Sequence, residues 1–169
     1  FAGDESWMTG HMYIFNNTIF QPNGEGAGGL GGSSRVIKHC VSRNNVLHAR
    51  DGFSISVDRR SENNDFDHDL VSGRYPPGHQ KNGITGTPRY APAAGFSFDS
   101  MSGVFELAPG SPGYDRGVII PNFCEFFTGN GPDMGAHEAG TGKMLFGVKA
   151  EFVPPGTAPP KRGSAEAAP

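Results

Sequence analysis

The first third of the chain is built from short runs of alternating apolar and polar positions, separated by paired asparagines. Tyr13-Ile14-Phe15-Asn16-Asn17-Thr18-Ile19-Phe20 returns 28 residues later as Val41-Ser42-Arg43-Asn44-Asn45-Val46-Leu47-His48. Each copy is a β-prone run, an Asn pair and a second β-prone run. Strand side chains point alternately to opposite faces. Aligned on the asparagines, Met12/Cys40, Ile14/Ser42 and Ile19/Leu47 make a mostly small or apolar set that should face a core. His11/His39, Tyr13/Val41 and Phe15/Arg43 should face outward, stacked copy on copy.

A strand–turn–strand unit repeating every 20 to 30 residues or so is the pattern of a solenoid whose rungs stack on one another. Asparagine suits the bends, because it tolerates the left-handed region and its amide can bond to backbone or to the next rung's amide. The pairs therefore predict an internal ladder. A third pair, Asn63-Asn64, precedes Asp65-Phe66-Asp67-His68-Asp69-Leu70-Val71, where Phe66, His68 and Leu70 alternate with acids. Asn16-Asn17-Thr18 also fits the N-glycosylation pattern, but an asparagine committed to a ladder is a poor acceptor.

Further along, Phe53, Ile55 and Val57 alternate with serines and predict a half-buried strand. Phe96-Ser97-Phe98 and Val104-Phe105-Glu106-Leu107 predict two more. Residues 21 to 35 read as a Gly-rich surface excursion with no phosphate-binding pattern, and residues 72 to 95 as a Gly/Pro-rich loop. Met144 to Phe152 allows one more strand, and the Pro/Ala/Gly-rich stretch from Pro154 reads as a flexible tail. The expected organisation is stacked rungs over 1–139 and a final strand with a tail over 140–169.

Composition narrows the class. Only 18% of the 169 residues are charged, while 26 are Gly and 14 Pro. That argues against helical bundles and favours many short strands joined by turns. A net charge of −3 with scattered Lys and Arg speaks against nucleic-acid binding. No apolar run approaches the roughly 20 residues of a membrane span. Cys40 and Cys124 lack metal-ligand spacing, and Cys40 lies in a β-prone run, so a buried free thiol is expected over a disulfide. The start, Phe1-Ala2-Gly3-Asp4, lacks signal-peptide features and reads as the middle of something, a processed fragment or a chain short of its upstream residues.

The Asn-Asn-Thr-Ile rungs resemble right-handed parallel β-helix proteins of the pectate-lyase-like superfamily. So does the ending Phe105-Glu106-Leu107-Ala108-Pro109-Gly110-Ser111-Pro112-Gly113-Tyr114-Asp115-Arg116-Gly117, followed by Pro132-Asp133-Met134-Gly135-Ala136-His137-Glu138. The resemblance covers about residues 10 to 140. It implies an all-β, right-handed parallel β-helix represented by its C-terminal rungs. It also implies a secreted or cell-surface protein that acts on polysaccharide, most often uronate-rich, as a lyase or hydrolase. Catalytic rungs in that family usually lie mid-helix, near or before the point where this chain begins. The terminal motif itself reads as structural, with Gly135 allowing close backbone approach and Asp133 capping a turn.

Two functions follow as expectations. In a lyase, a base takes the proton beside a uronate carboxylate while a cation stabilises the charge that develops. Arg43 is the candidate cation, since guanidinium grips carboxylate at two points. His39, Tyr13 and His11 are candidate base or acid, and Phe15 and Trp7 candidate sugar-stacking rings, although covering the edge of the first rung is the plainer reading of Trp7. A hydrolase would instead need two carboxylates at a set separation, for which Asp65, Asp67 and Asp69 are the clustered acids. Those three at period two would also suit Ca²⁺, although the run lacks EF-hand spacing and a solvated strand face is the plainer reading. The other function is a non-catalytic module for glycan binding, adhesion or capping, with the outward aromatics as a platform. In either case the first rung presents an open end, which the N-terminal remainder of the same β-helix or a companion chain should cover.

Overall fold

A computed structural model describes residues 11–21, 29–32, 36–49, 52–92, 94–100, 102–141 and 144–145. The described part is all-β, with no helix. Its strands are β1 (Met12–Phe15), β2 (Thr18–Gln21), β3 (Leu30–Gly32), β4 (Cys40–Arg43), β5 (Val46–Ala49) and β6 (Ile55–Val57). They are followed by β7 (Asp65–Phe66), β8 (Leu70–Val71), β9 (Ile84–Thr85), β10 (Gly95–Ser97), β11 (Ser102–Val104) and β12 (Met144–Leu145).

From β1 to β5, each strand pairs in parallel with the strand three further along the chain. This gives the sheets β1-β4-β7, β2-β5-β8-β9 and β3-β6. The register matches the sequence expectation: Met12 sits opposite Cys40, Ile14 opposite Ser42, and Ile19 opposite Leu47. Ile14, Cys40 and Leu47 are buried together with Leu30, Ile37, Ile55, Phe66 and Val71, and Met12, Ile19, Val57 and Tyr75 pack against them. This apolar interior is lined by all three parallel sheets.

The bends between the first and second sheets use left-handed residues, Asn16, Asn44 and His68, whose φ values are 51°, 57° and 56°. The residue after each one turns its side chain into the stack. Asn45 Oδ1 accepts the Asn17 backbone N–H at 3.0 Å and the Asn17 amide at 3.1 Å. The Asn45 amide donates to the Ile14 carbonyl at 2.8 Å and to Asp69 Oδ1 at 2.7 Å. Asp69 Oδ1 also takes the Asn45 backbone N–H, while Oδ2 takes the Ser42 hydroxyl and the Gln80 amide. The expected ladder is present, but its third member is an aspartate. Asn63-Asn64 instead serves a different bend, where Asn64 Oδ1 accepts the Cys40 N–H and the Asn64 amide donates to the Ile37 carbonyl.

Three other expectations change. The Gly-rich excursion contains a strand, β3, and Gly29 just before it lies so close to the next level that a Cβ there would meet the Ser54 carbonyl oxygen at 1.8 Å. Phe53 does not follow Ile55 into the core. It is exposed, with the Arg74 guanidinium 4.4 Å above its ring. Within 72 to 95, expected as loop, Ile84–Thr85 extends the second sheet by pairing with β8. Both cysteines are free and buried, as expected for Cys40. The tail from Pro154, and the rest of the stretch beyond Leu145, lie outside the described residues.

The C-terminal half covers the outer face of the second sheet. β5 is therefore buried on both faces, and Val46 and Leu70 pack against Leu107 and Met134. The Pro132–Glu138 motif is the clasp. The Gly135 N–H reaches the Asn44 carbonyl at 2.6 Å, and Ala136 N–H reaches Thr18 Oγ1 at 3.0 Å. Asp133 accepts from the backbone of Asp115 and Ala139, and Glu138 from that of Thr128 and Asp133. These carboxylates satisfy main-chain donors rather than facing a substrate. Beyond the clasp, β10, β11 and β12 form a small antiparallel sheet.

Two substitutions test this account. Asn45→Ala strands donors and acceptors on two neighbouring levels, each costing about 1–3 kcal/mol when buried. It should lower stability in urea by about 3 kcal/mol or more, and Asn17→Ala, at the edge of the stack, by about 1. Gly135→Ala should also destabilise by about 2 kcal/mol or more. Its φ is 101° and its Cβ would lie 2.7 Å from Thr18 Oγ1 and 3.0 Å from Val46 Cγ2. A urea midpoint unchanged in either N45A or G135A would contradict the corresponding contact.

Candidate functional site

The outer face of β1-β4-β7 carries the side chains that period-two alternation assigned to it. Tyr13 is 61% exposed. Its ring lies 6.3 Å from that of His11, stacked, and 5.8 Å from that of Phe15. His11 is also 5.3 Å from His39 on the next level. Phe123, from the C-terminal half, extends the row by meeting Phe15 edge-on at 5.4 Å, and is itself 70% exposed. The result is an open strip of rings along one sheet face, anchored through the backbone to the core beneath. Phe123 could not be assigned to this strip from sequence, because 108 residues separate it from Phe15. Trp7, the other ring considered for stacking, lies outside the described residues.

Arg43 borders the strip opposite Phe15, but its guanidinium is engaged. It contacts Asp65 Oδ2 at 2.5 Å and donates to the carbonyls of Ser42 and Asp65. Lys38, before the His39 bend and so off this sheet, is held by Glu62 at 2.5 Å. The guanidinium beside the strip is thus matched by a carboxylate. Arg43, His39, Tyr13 and His11 share a face as expected, while a free guanidinium beside them does not occur.

The aspartates expected as a group are not one. Asp65 is exposed and pairs with Arg43. Asp67 holds the backbone and amide of Asn82, and also the His68 N–H, so these donors bring its carboxyl below the usual range despite burial. Asp69 is fully buried in the ladder, and burial pushes its carboxyl up against the pull of its donors. β7 ends at Phe66 and His68 is left-handed, so the period-two alternation needed to gather the three on one face breaks down after the second residue. Among the described residues, no group of three or more His, Cys, Asp or Glu side chains is placed to hold a metal. The glycosylation pattern also sits on a bend: Asn17 belongs to the ladder, Asn16 Oδ1 is buried, and Thr18 Oγ1 is bonded to Ala136.

A second aromatic group was not anticipated. On the outer side of β2 and β5, the rings of His48 and Tyr90 stack at 5.6 Å. Phe20 meets both edge-on and also contacts Phe105. His48 Nδ1 lies 3.2 Å from the Tyr90 hydroxyl. Burial lowers the His48 pKa and raises that of Tyr90, so both stay neutral at pH 7. The only sequence signal was His48 at the end of a β-prone run, and nothing linked it to Tyr90.

Comparison with family models, with curated proteins and with solved structures found no match. The chemistry of the strip therefore has to be argued from this chain's own geometry.

The His48 environment has a consequence for pH. A histidine held neutral by burial contributes stability that is complete above its unfolded pKa of 6.5 and is lost as pH falls through the lower folded value. Burial lowers the His79 pKa in the same sense. Raised carboxyls at Asp69, Asp133 and Glu138 act in the opposite sense, so the His48 part is read by difference: between pH 7.5 and 5 the urea midpoint of the natural protein should fall relative to that of His48→Gln. An identical slope in H48Q would remove His48 as a source of the acid sensitivity.

Proposed function

We propose that this chain forms consecutive turns of a right-handed parallel β-helix, and that the strip on β1-β4-β7 binds a polysaccharide chain by ring stacking. The observation that carries this reading is the combination of a row of contacting rings, with Tyr13 and Phe123 mostly exposed, and an adjacent guanidinium already neutralised by Asp65. Flat aromatic faces bury the C–H faces of sugar rings, and rings spaced along a strand match a ligand extended beside it. Parallel pairing of each strand with the third one after it, together with the right-handed bias of parallel crossovers, supports the β-helix.

The protein would then be secreted or held at a cell surface, where polysaccharides occur. β1, β2 and β3 each have a strand on one side only among the described residues. None of the three contains a charged residue or proline to guard that edge. A further turn of β-helix, from the same chain or a companion, would cover it.

The resemblance to polysaccharide-cleaving enzymes supports a second reading, in which the same face is a uronate lyase site. His11, Tyr13, His39 and Arg43 do share that face. In this reading Arg43 must exchange Asp65 for the substrate carboxylate, and a histidine or Tyr13 takes the proton.

One experiment separates the two. The protein is titrated against neutral and uronate-containing polysaccharides by affinity electrophoresis, with product absorbance followed in parallel. Tyr13→Ala and Phe15→Ala should each weaken binding about tenfold, the value of roughly one ring contact. Arg43→Ala should leave binding only slightly weaker. Unsaturated product formed by the natural protein and abolished in R43A would favour the lyase. Binding undisturbed by both ring removals would sink the platform.

A further inference from the structure

We propose that His11 and His39 together form a two-imidazole site for a late first-row divalent cation, Zn²⁺, Ni²⁺ or Cu²⁺. The parallel register that puts Met12 opposite Cys40 also sets the two preceding histidines side by side. Their ring centres are 5.3 Å apart with the planes 45° apart. Metal–nitrogen bonds of about 2.0–2.1 Å meeting at a tetrahedral angle put two imidazole centres roughly 5 Å apart. The observed ring separation therefore matches that of two imidazoles sharing one ion. Direct stacking of two rings, by contrast, favours a parallel offset or edge-on arrangement rather than an intermediate tilt.

The surroundings favour the same class of ion. His11 is exposed and His39 half-buried, so a hydrated cation can approach. Cys40, the nearest thiol in sequence, points into the core and is unavailable as a ligand. Glu62 is close enough to His39 for their charges to interact, while its carboxylate is held by Lys38. The available donors are thus imidazole nitrogens, which suit zinc, nickel and copper rather than calcium or magnesium. With two protein ligands, the remaining positions stay open to water or to an oxygen of a bound molecule. This site is independent of the polysaccharide reading and would exist if that reading failed.

The test is calorimetric titration of the intact protein with zinc chloride, nickel chloride and copper chloride separately. One equivalent of each should bind, with copper tightest. His11→Gln and His39→Asn should each weaken binding at least tenfold, whereas His79→Gln should not. Asparagine is chosen at position 39 because φ there is 56°, a conformation asparagine tolerates. Far-UV circular dichroism of each variant separates loss of a ligand from loss of fold. Zinc should also raise the melting temperature of the natural protein but not of H11Q. Absence of a saturable one-equivalent site, or binding that persists in both folded variants, would overturn the proposal.

Discussion

The structure depends on one arrangement: a left-handed residue at the bend, followed by a side chain that turns inward and satisfies the main chain of the next level. The left-handed residue redirects the strand. The side chain after it replaces hydrogen bonds that the bend would otherwise remove from a buried backbone. Asn45 shows the device at full strength, because its carbonyl oxygen faces one level and its amide two. Asparagine can serve both directions because it carries a donor and an acceptor. Asp69 cannot donate when ionised, and its place explains why it need not. Every polar group aimed at it, from Asn45, Ser42 and Gln80, is a donor. An amide in that position would point N–H at N–H on the Gln80 side. The charge is costly to bury, and four donors are what offset the cost.

That same chemistry governs what could be read from the sequence. The first two repeats were legible because both used Asn pairs, and aligning those pairs gave the strand register residue by residue. The third repeat was not, because the bend kept its geometry while changing its letters. Counting 24 residues on from Asn44-Asn45 reaches His68-Asp69, which look like members of an acidic run. The visible Asn63-Asn64 pair belongs to another bend, aligned with His39-Cys40. The strands beyond it shrink to two residues, as at Leu70–Val71 and Ile84–Thr85, too short for any periodicity to show.

The strip of rings was legible in membership and illegible in electrostatics. Alternation in β1 and β4 fixed which side chains face out, and the structure keeps His11, Tyr13, Phe15, His39 and Arg43 on that face. Whether Arg43 is available was a different matter, decided by Asp65 on the third level. That contact depends on a 24-residue offset between β4 and β7, where the first two levels are 28 apart. Phe123 and the His48–Tyr90 pair likewise arise from long-range packing of the C-terminal half. No local pattern specifies such contacts.

The two outer faces also explain each other. The C-terminal half needs an apolar surface to settle on, and the second sheet supplies one in Val46, Leu70, Phe20 and His48, against which Leu107, Met134, Tyr90 and Phe105 pack. The clasp at Gly135 then fixes that half against Asn44, the residue that also bends the chain away from the strip. One face is consumed by the fold while the neighbouring face keeps its rings in solvent. Exposure alone would not distinguish them, since Phe98 is 82% exposed in the turn after β10. The difference lies in support. Tyr13, Phe15 and Arg43 sit in parallel strands whose inward neighbours, Ile14, Cys40 and Ser42, are buried. Rings carried on such strands have lost most of their backbone freedom before any ligand arrives. For the ligand proposed above, association would then forfeit little further entropy, which suits a shallow, charge-balanced surface.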